Sequence, residues 1–145
     1  MFPRRLVPVA LSLVLSACHA GHKSGIIGGE RTPLWSGIAA SETLHATGTE
    51  AFWGAEVGDG TLTWKTADDH AGTKVPVERF AGRDGLGFSG TLAGAAFALA
   101  VSDAKCSDGM SDRRYPFTVT VLHGADTLRG CGWTDRHPFT GPAKP

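Results

Sequence analysis

From Glu50 to Trp133 the chain breaks into short apolar segments separated by turn residues every eight to twelve positions. That spacing points to an antiparallel sandwich or barrel. No helix is required. Residues 52–57 are followed by Gly58-Asp59-Gly60 and then by Thr61-Leu62-Thr63-Trp64-Lys65, where Leu62 and Trp64 alternate with polar neighbours. This predicts a hairpin whose glycines supply positive φ at the turn. A second hairpin is expected from residues 85–92 and 95–101 around Ala93-Gly94, with Phe97, Leu99 and Val101 sharing one face. Between the two, Val75-Pro76-Val77 reads as an edge or a strand start, because proline cannot donate to a ladder. Residues 115–122 alternate strongly, with Phe117, Val119 and Val121 on one side and Thr118 and Thr120 on the other, and residues 127–133 are the natural partner. Setting Leu122 against Thr127 places Val121 opposite Leu128 and Thr118 opposite Cys131. Cys131 then falls on the non-core face, unless a bulge reverses the register. The fold expected is all-β: a small antiparallel β-barrel or barrel-like meander of about seven to eight strands, since closure is the simplest way to hide edges. An open sandwich is the alternative.

The first residues carry a different message. Arg4 and Arg5 precede an apolar run over 6–15, interrupted by Pro8, and then Ser16, Ala17 and Cys18. This is the layout of a signal peptide, and the run falls well short of the about 20 apolar residues that cross a bilayer. Leu15-Ser16-Ala17-Cys18 resembles the lipobox of bacterial lipoproteins. The resemblance implies cleavage between Ala17 and Cys18, a diacylglyceryl thioether on Cys18 and acylation of the new amino terminus. An ordinary secretory signal is the alternative. Three cysteines leave one unpaired in a secreted chain, and lipidation of Cys18 accounts for it. Cys106 and Cys131 then remain, and in an oxidising compartment a disulfide is their default state, two buried thiols being the alternative.

The 145 residues suit one domain, and 14 basic against 14 acidic side chains, without a basic run, exclude a nucleic-acid partner. Loss of Arg4 and Arg5 with the leader makes the mature chain weakly acidic. The organisation expected is a signal peptide over 1–17, a lipidated N-terminus and flexible tether over 18–40, a β domain over 41–136 and a frayed, proline-containing tail over 137–145. His19 and His22 in the tether read as solvated residues, not metal ligands. Because His19, not Asp, follows Cys18, the expected address is the outer membrane, on its periplasmic face.

Two sequence elements stand out: Gly48-Thr49-Glu50-Ala51-Phe52-Trp53, and the run from Cys106-Ser107-Asp108-Gly109-Met110 through Ser111-Asp112-Arg113-Arg114-Tyr115-Pro116. Together they resemble a family of bacterial envelope proteins, often lipoproteins, that carry G-T-E-P-F-W, C-S-D-G-M-S-D-R-x-Y-P and a final G-C. Ala51 stands where that family usually has proline. The resemblance spans residues 47–132 and implies a shared fold, and it brings no activity with it.

Chemically, the second element reads as a stapled loop. Asp108 and Asp112 can cap turns, Gly109 permits positive φ, and Arg113 can pair with a carboxylate. Glu50 is a candidate for that partner, giving a Glu50–Arg113 or Asp–Arg clasp; a recognition surface that includes Trp53 is the second reading. Calcium on Asp103, Asp108 and Asp112 is the third, although their spacing lacks the alternating pattern of an EF-hand. Of Phe52 and Trp53, one belongs to the core and the other to the surface. A hydrolase would need His70 beside a Ser or carboxylate, and Gly87-Phe88-Ser89-Gly90 lacks the nucleophile elbow. His45, His123 and His137 fall in expected loops or turns. No catalytic, metal or cofactor residue is expected. The functional expectation is a monomeric, membrane-anchored, non-catalytic module that binds an envelope protein, glycan or small apolar ligand at one rim. A ligand-free structural or stress-related component and a hydrolase are the alternatives. Membrane-bound inhibitors of c-type lysozyme are similar as small lipidated barrels, but none of their motif residues occurs here.

Overall fold

The computed structural model describes residues 32–143. The expected signal peptide, Cys18, His19 and His22 lie outside the described residues. Eight antiparallel strands close into a barrel in sequence order: β1 (Leu44–Gly48), β2 (Trp53–Gly58), β3 (Thr61–Thr66), β4 (Thr73–Ala81), β5 (Gly85–Leu92), β6 (Ala95–Ser102), β7 (Phe117–His123) and β8 (Asp126–Trp133). Closure is made by β1 against β8, from His45↔Trp133 to Thr47↔Cys131. The last hairpin has the register its alternation implies, with Leu122 opposite Thr127 and Thr118 opposite Cys131.

Alternation fills the interior. Val119, Val121, Leu62 and Leu99 are all 0% exposed, and each such side chain contributes roughly 1.5–3 kcal/mol by leaving water. Trp53 stacks on Trp64 at 5.1 Å between ring centroids, and Trp64 meets Phe97 edge-on at 5.4 Å. An eight-stranded barrel has room inside for its own side chains or one small ligand, and here aromatic and branched residues take that room. Any binding surface therefore lies outside the wall or at its rims.

Three expectations need correction. The segment 75–77 is not an edge: β4 runs through Pro76, pairing with β3 over Thr73–Pro76 and with β5 over Val77–Ala81. The proline is tolerated because the strand changes neighbours there. The tether expected over 18–40 ends earlier, since Ile38 is 2% exposed in the core and Trp35 packs edge-on against Phe117 at 5.9 Å. Two hydrogen bonds hold that entry segment: the Trp35 amide donates to the Gly82 carbonyl at 2.8 Å and the Arg79 guanidinium to the Ile38 carbonyl at 2.9 Å. The tail expected to fray from 137 is docked as far as the described residues extend. Arg114 and Thr140 exchange two backbone hydrogen bonds of 2.9 Å, and Phe139 packs against Tyr115 and Trp133, each at 5.5 Å.

Candidate functional site

Cys106 and Cys131 are joined by a disulfide, as the sequence suggested, with their Cα atoms 5.4 Å apart. Cys131 points outward from β8, so the bond draws the loop between β6 and β7 over the outside of the barrel. Cys106 and Tyr115 pair across the neck of that loop. Its tip is organised by Asp108, which accepts the Met110 and Ser111 amides at 3.0 and 2.8 Å, the Ser111 hydroxyl at 2.6 Å and the Tyr115 hydroxyl at 3.3 Å. Gly109, at φ 70, takes the left-handed step of this turn. The Ser111 hydroxyl, then the amides and Tyr115, outweigh partial burial and hold the Asp108 carboxyl down at about 2, from 3.8.

Because the folded pKa is depressed, the stabilisation is complete above the ordinary carboxylate range and is lost as pH falls through about 2. The Met110 and Ser111 amide resonances are expected to titrate with that low midpoint, and a midpoint near 3.8 would contradict the turn. Asp108→Ala is expected to cost about 1–3 kcal/mol by orphaning two amides, read by urea denaturation.

The Glu50–Arg113 clasp does not form. Among the described residues the ion pairs are Lys65–Glu56 and His137–Glu42. Arg113 instead turns to the C-terminal segment, where its Nε donates to the Pro142 carbonyl at 2.8 Å and an Nη to the Ala143 carbonyl. Its guanidinium lies 4.6 Å from the Phe139 ring centroid. Arg113 clamps the tail, and no Asp–Arg clasp replaces the expected pair. Asp112 is exposed, and its backbone packs beside Gly141. Asp103, Asp108 and Asp112 do not converge: among the described residues no group of three acidic, His or Cys side chains is placed for a metal ion.

Trp53 faces the core at 4% exposure while Phe52 is 60% exposed, the division expected for adjacent aromatics. The indole lies across two glycines. A Cβ on Gly48 would sit 2.0 Å from the Trp53 Nε1, and one on Gly130 would sit 2.7 Å from its Cζ2. The glycines of the first motif and of the final G-C thus form a floor for one side chain. The Trp53 N–H is buried there without a hydrogen-bond partner.

A second polar cluster escaped the sequence reading. Thr134, 0% exposed, donates to Glu42 at 2.6 Å, and the His137 Nδ1 lies 3.4 Å from the same carboxylate. The group has the composition of a hydroxyl–imidazole–carboxylate triad, but a fully buried hydroxyl cannot meet a substrate. It anchors the chain ends instead. Burial opposes the charge of Glu42, yet the bonds from Thr134 and the Ala39 amide, with His137 beside them, keep its pKa below the usual range. Its side chain is 7% exposed, and Glu42→Ala, which strands the Thr134 hydroxyl and the Ala39 amide, is expected to cost about 1–3 kcal/mol in denaturant unfolding.

Of the other histidines, His45 falls in a strand and not in the expected loop, and His123 sits at the edge of its expected turn. His45 lies on β1 and stacks on Trp133 at 5.4 Å, and His123 ends β7 with Nε2 2.9 Å from the Leu92 carbonyl. His70 is exposed on the loop before β4.

The two motifs meet in space. Thr49 Oγ1 donates to the Asp108 carbonyl at 3.4 Å, across 59 residues of sequence. Between the β1–β2 turn, the stapled loop and the outer face of β8 lies an open cleft of about 420 Å³. Glu50 and Arg129 both line it, together with Thr47, Thr127 and the disulfide. No family model, curated protein or solved structure matches the chain. The reading of the cleft therefore rests on its chemistry.

Proposed function

We propose that this chain is a lipid-anchored envelope protein, held at the periplasmic face of the outer membrane through Cys18, whose barrel is a non-catalytic binding module. Its ligand is taken in the cleft between the stapled loop and the β1–β2 turn. The lipobox-like Leu15-Ser16-Ala17-Cys18 supports the anchor. One observation carries the binding reading: two sequence elements far apart in the chain converge on an open polar cleft whose wall is fixed by a disulfide, while the barrel interior is filled by its own side chains. The small apolar ligand held in a barrel mouth, one option from sequence, has less support than a polar ligand on the wall.

The test is site-specific photocrosslinking in intact envelopes. A crosslinker at Thr127, in the cleft, is expected to capture a discrete adduct that a crosslinker at Glu78, outside the cleft on β4, does not. Equal labelling at both positions, or none at Thr127, would overturn the assignment. Mass spectrometry of the same sample reads the anchor, and an unmodified Cys18 would remove it.

A further inference from the structure

We infer that the cleft recognises a zwitterion: an amino acid or short peptide presenting a free carboxylate and a free ammonium group. This rests on the cleft being the binding site. Most of the polar groups around it are already satisfied by the protein. Thr47 donates to the Trp53 carbonyl, Thr49 to the Asp108 carbonyl and Thr118 to the Ala104 carbonyl. Asp108 is fully engaged by its own turn, and the Ser107 hydroxyl accepts the Gly109 amide. Among the described residues, what remains free is one carboxylate, Glu50, one guanidinium, Arg129, the Thr127 hydroxyl and the O–H donor of Ser107.

Glu50 and Arg129 share the cleft without forming an ion pair with each other or with any other described residue. Two opposite charges held apart in one cleft match a ligand whose own charges are opposite and separated. The guanidinium offers a planar fork of donors suited to a carboxylate, and the Glu50 carboxylate accepts from an ammonium. A ligand with one charge would leave the other protein charge unanswered, and a neutral glycan would answer neither. Gly48 and Gly130, which carry no side chain, line the cleft beside the disulfide, which leaves space for a peptide backbone. At about 420 Å³ the cleft falls within the range of small-molecule sites.

The test uses the lipidated full chain in nanodiscs, titrated with the dipeptide Ala-Ala and followed by amide shifts of Thr47, Thr49, Glu50, Thr127 and Arg129. Free alanine and trialanine serve as size controls, and N-acetyl-Ala-Ala and Ala-Ala-amide each lack one charge. Saturable shifts are expected with Ala-Ala, and each blocked dipeptide is expected to bind about tenfold more weakly or worse. Arg129→Gln is expected to abolish the difference between Ala-Ala and its amide while keeping the penalty for acetylation, and Glu50→Gln the reverse. Both side chains are exposed, so these variants fold, and their unchanged shifts elsewhere verify it. Blocked and free dipeptides binding alike, or Ala-Ala leaving these amides unmoved, would overturn the zwitterion assignment. If the Thr127 crosslink still forms in that case, the site stands and only its ligand class falls; if both fail, the binding reading falls with it.

Discussion

Gly130→Ala is expected to destabilise the domain by about 3 kcal/mol or more, the upper range for overpacking a core. A Cβ there would lie 2.2 Å from the Thr47 carbonyl oxygen and 2.7 Å from Trp53. The first obstacle is the backbone of β1 in the pair that closes the barrel, so it cannot be relieved by a rotamer change. Gly48→Ala meets only the Trp53 indole among its nearest neighbours. The two glycines should therefore respond differently to removal of the ring. Trp53→Ala alone is expected to cost about 3–5 kcal/mol. In that background Gly48→Ala should cost well under its value in the wild type, a coupling of about 1–3 kcal/mol, while Gly130→Ala should keep most of its penalty. Chemical denaturation of the three single and two double variants reads this directly. Equal penalties for Gly48→Ala in both backgrounds would show that the indole is not what fills the space.

Removing the disulfide, by Cys106→Ala with Cys131→Ala or by reduction, is expected to lower stability by about 3–4 kcal/mol on the chain-entropy model for its separation of 25 residues. That is a large share of the about 5–15 kcal/mol typical of a domain. The damage should be uneven. The strands hold one another through β1–β8 pairing, so far-ultraviolet circular dichroism at low temperature should persist, whereas the Cys106–Tyr115 pairing and the cleft wall should be lost. Protection of the Tyr115 amide, which donates to the Cys106 carbonyl at 2.9 Å, distinguishes the two levels. Retention of that protection without the bond would mean that the loop is held by its own turn and by Thr49.

Much of the barrel was legible because period-two alternation is strong where side chains are large. β7 and β8 carry Phe117, Val119, Val121 and Leu128 inward, and even their register followed from the turn. β1 was illegible for the opposite reason. Its inward positions are Leu44, Ala46 and Gly48, and two of the three are small because Trp53 and the neighbouring strands occupy the space. The alternation is present in burial but nearly silent in hydropathy.

The disulfide was legible from cysteine arithmetic, and the Asp108 turn from an aspartate directly before Gly109. The partner of Arg113 was not. Its contacts are carbonyls and a ring in a proline-containing tail, and no local pattern marks such a segment as docked. Arg129 carried no signal at all. It matters because the stapled loop and the β1–β2 turn arrive beside it, a tertiary fact. The sequence presents Glu50 as half of a clasp, whereas in the structure it lines the cleft with no ion pair among the described residues.

The change of neighbours at Pro76 has a mechanical meaning. Around most of the circumference, successive strands are bonded along their length, so a disturbance on one is shared by the next. At β4 the pairing with β3 gives way to pairing with β5 at Pro76 and Val77, and the Val77 amide, donating to the Gly60 carbonyl at 2.9 Å, ties that point back to the β2–β3 turn. The missing donor of the proline thus falls at the one place where the strand hands over from one neighbour to the next. The stapled cleft lies elsewhere in the wall, at the β8–β1 seam, where three residue pairs close the cylinder.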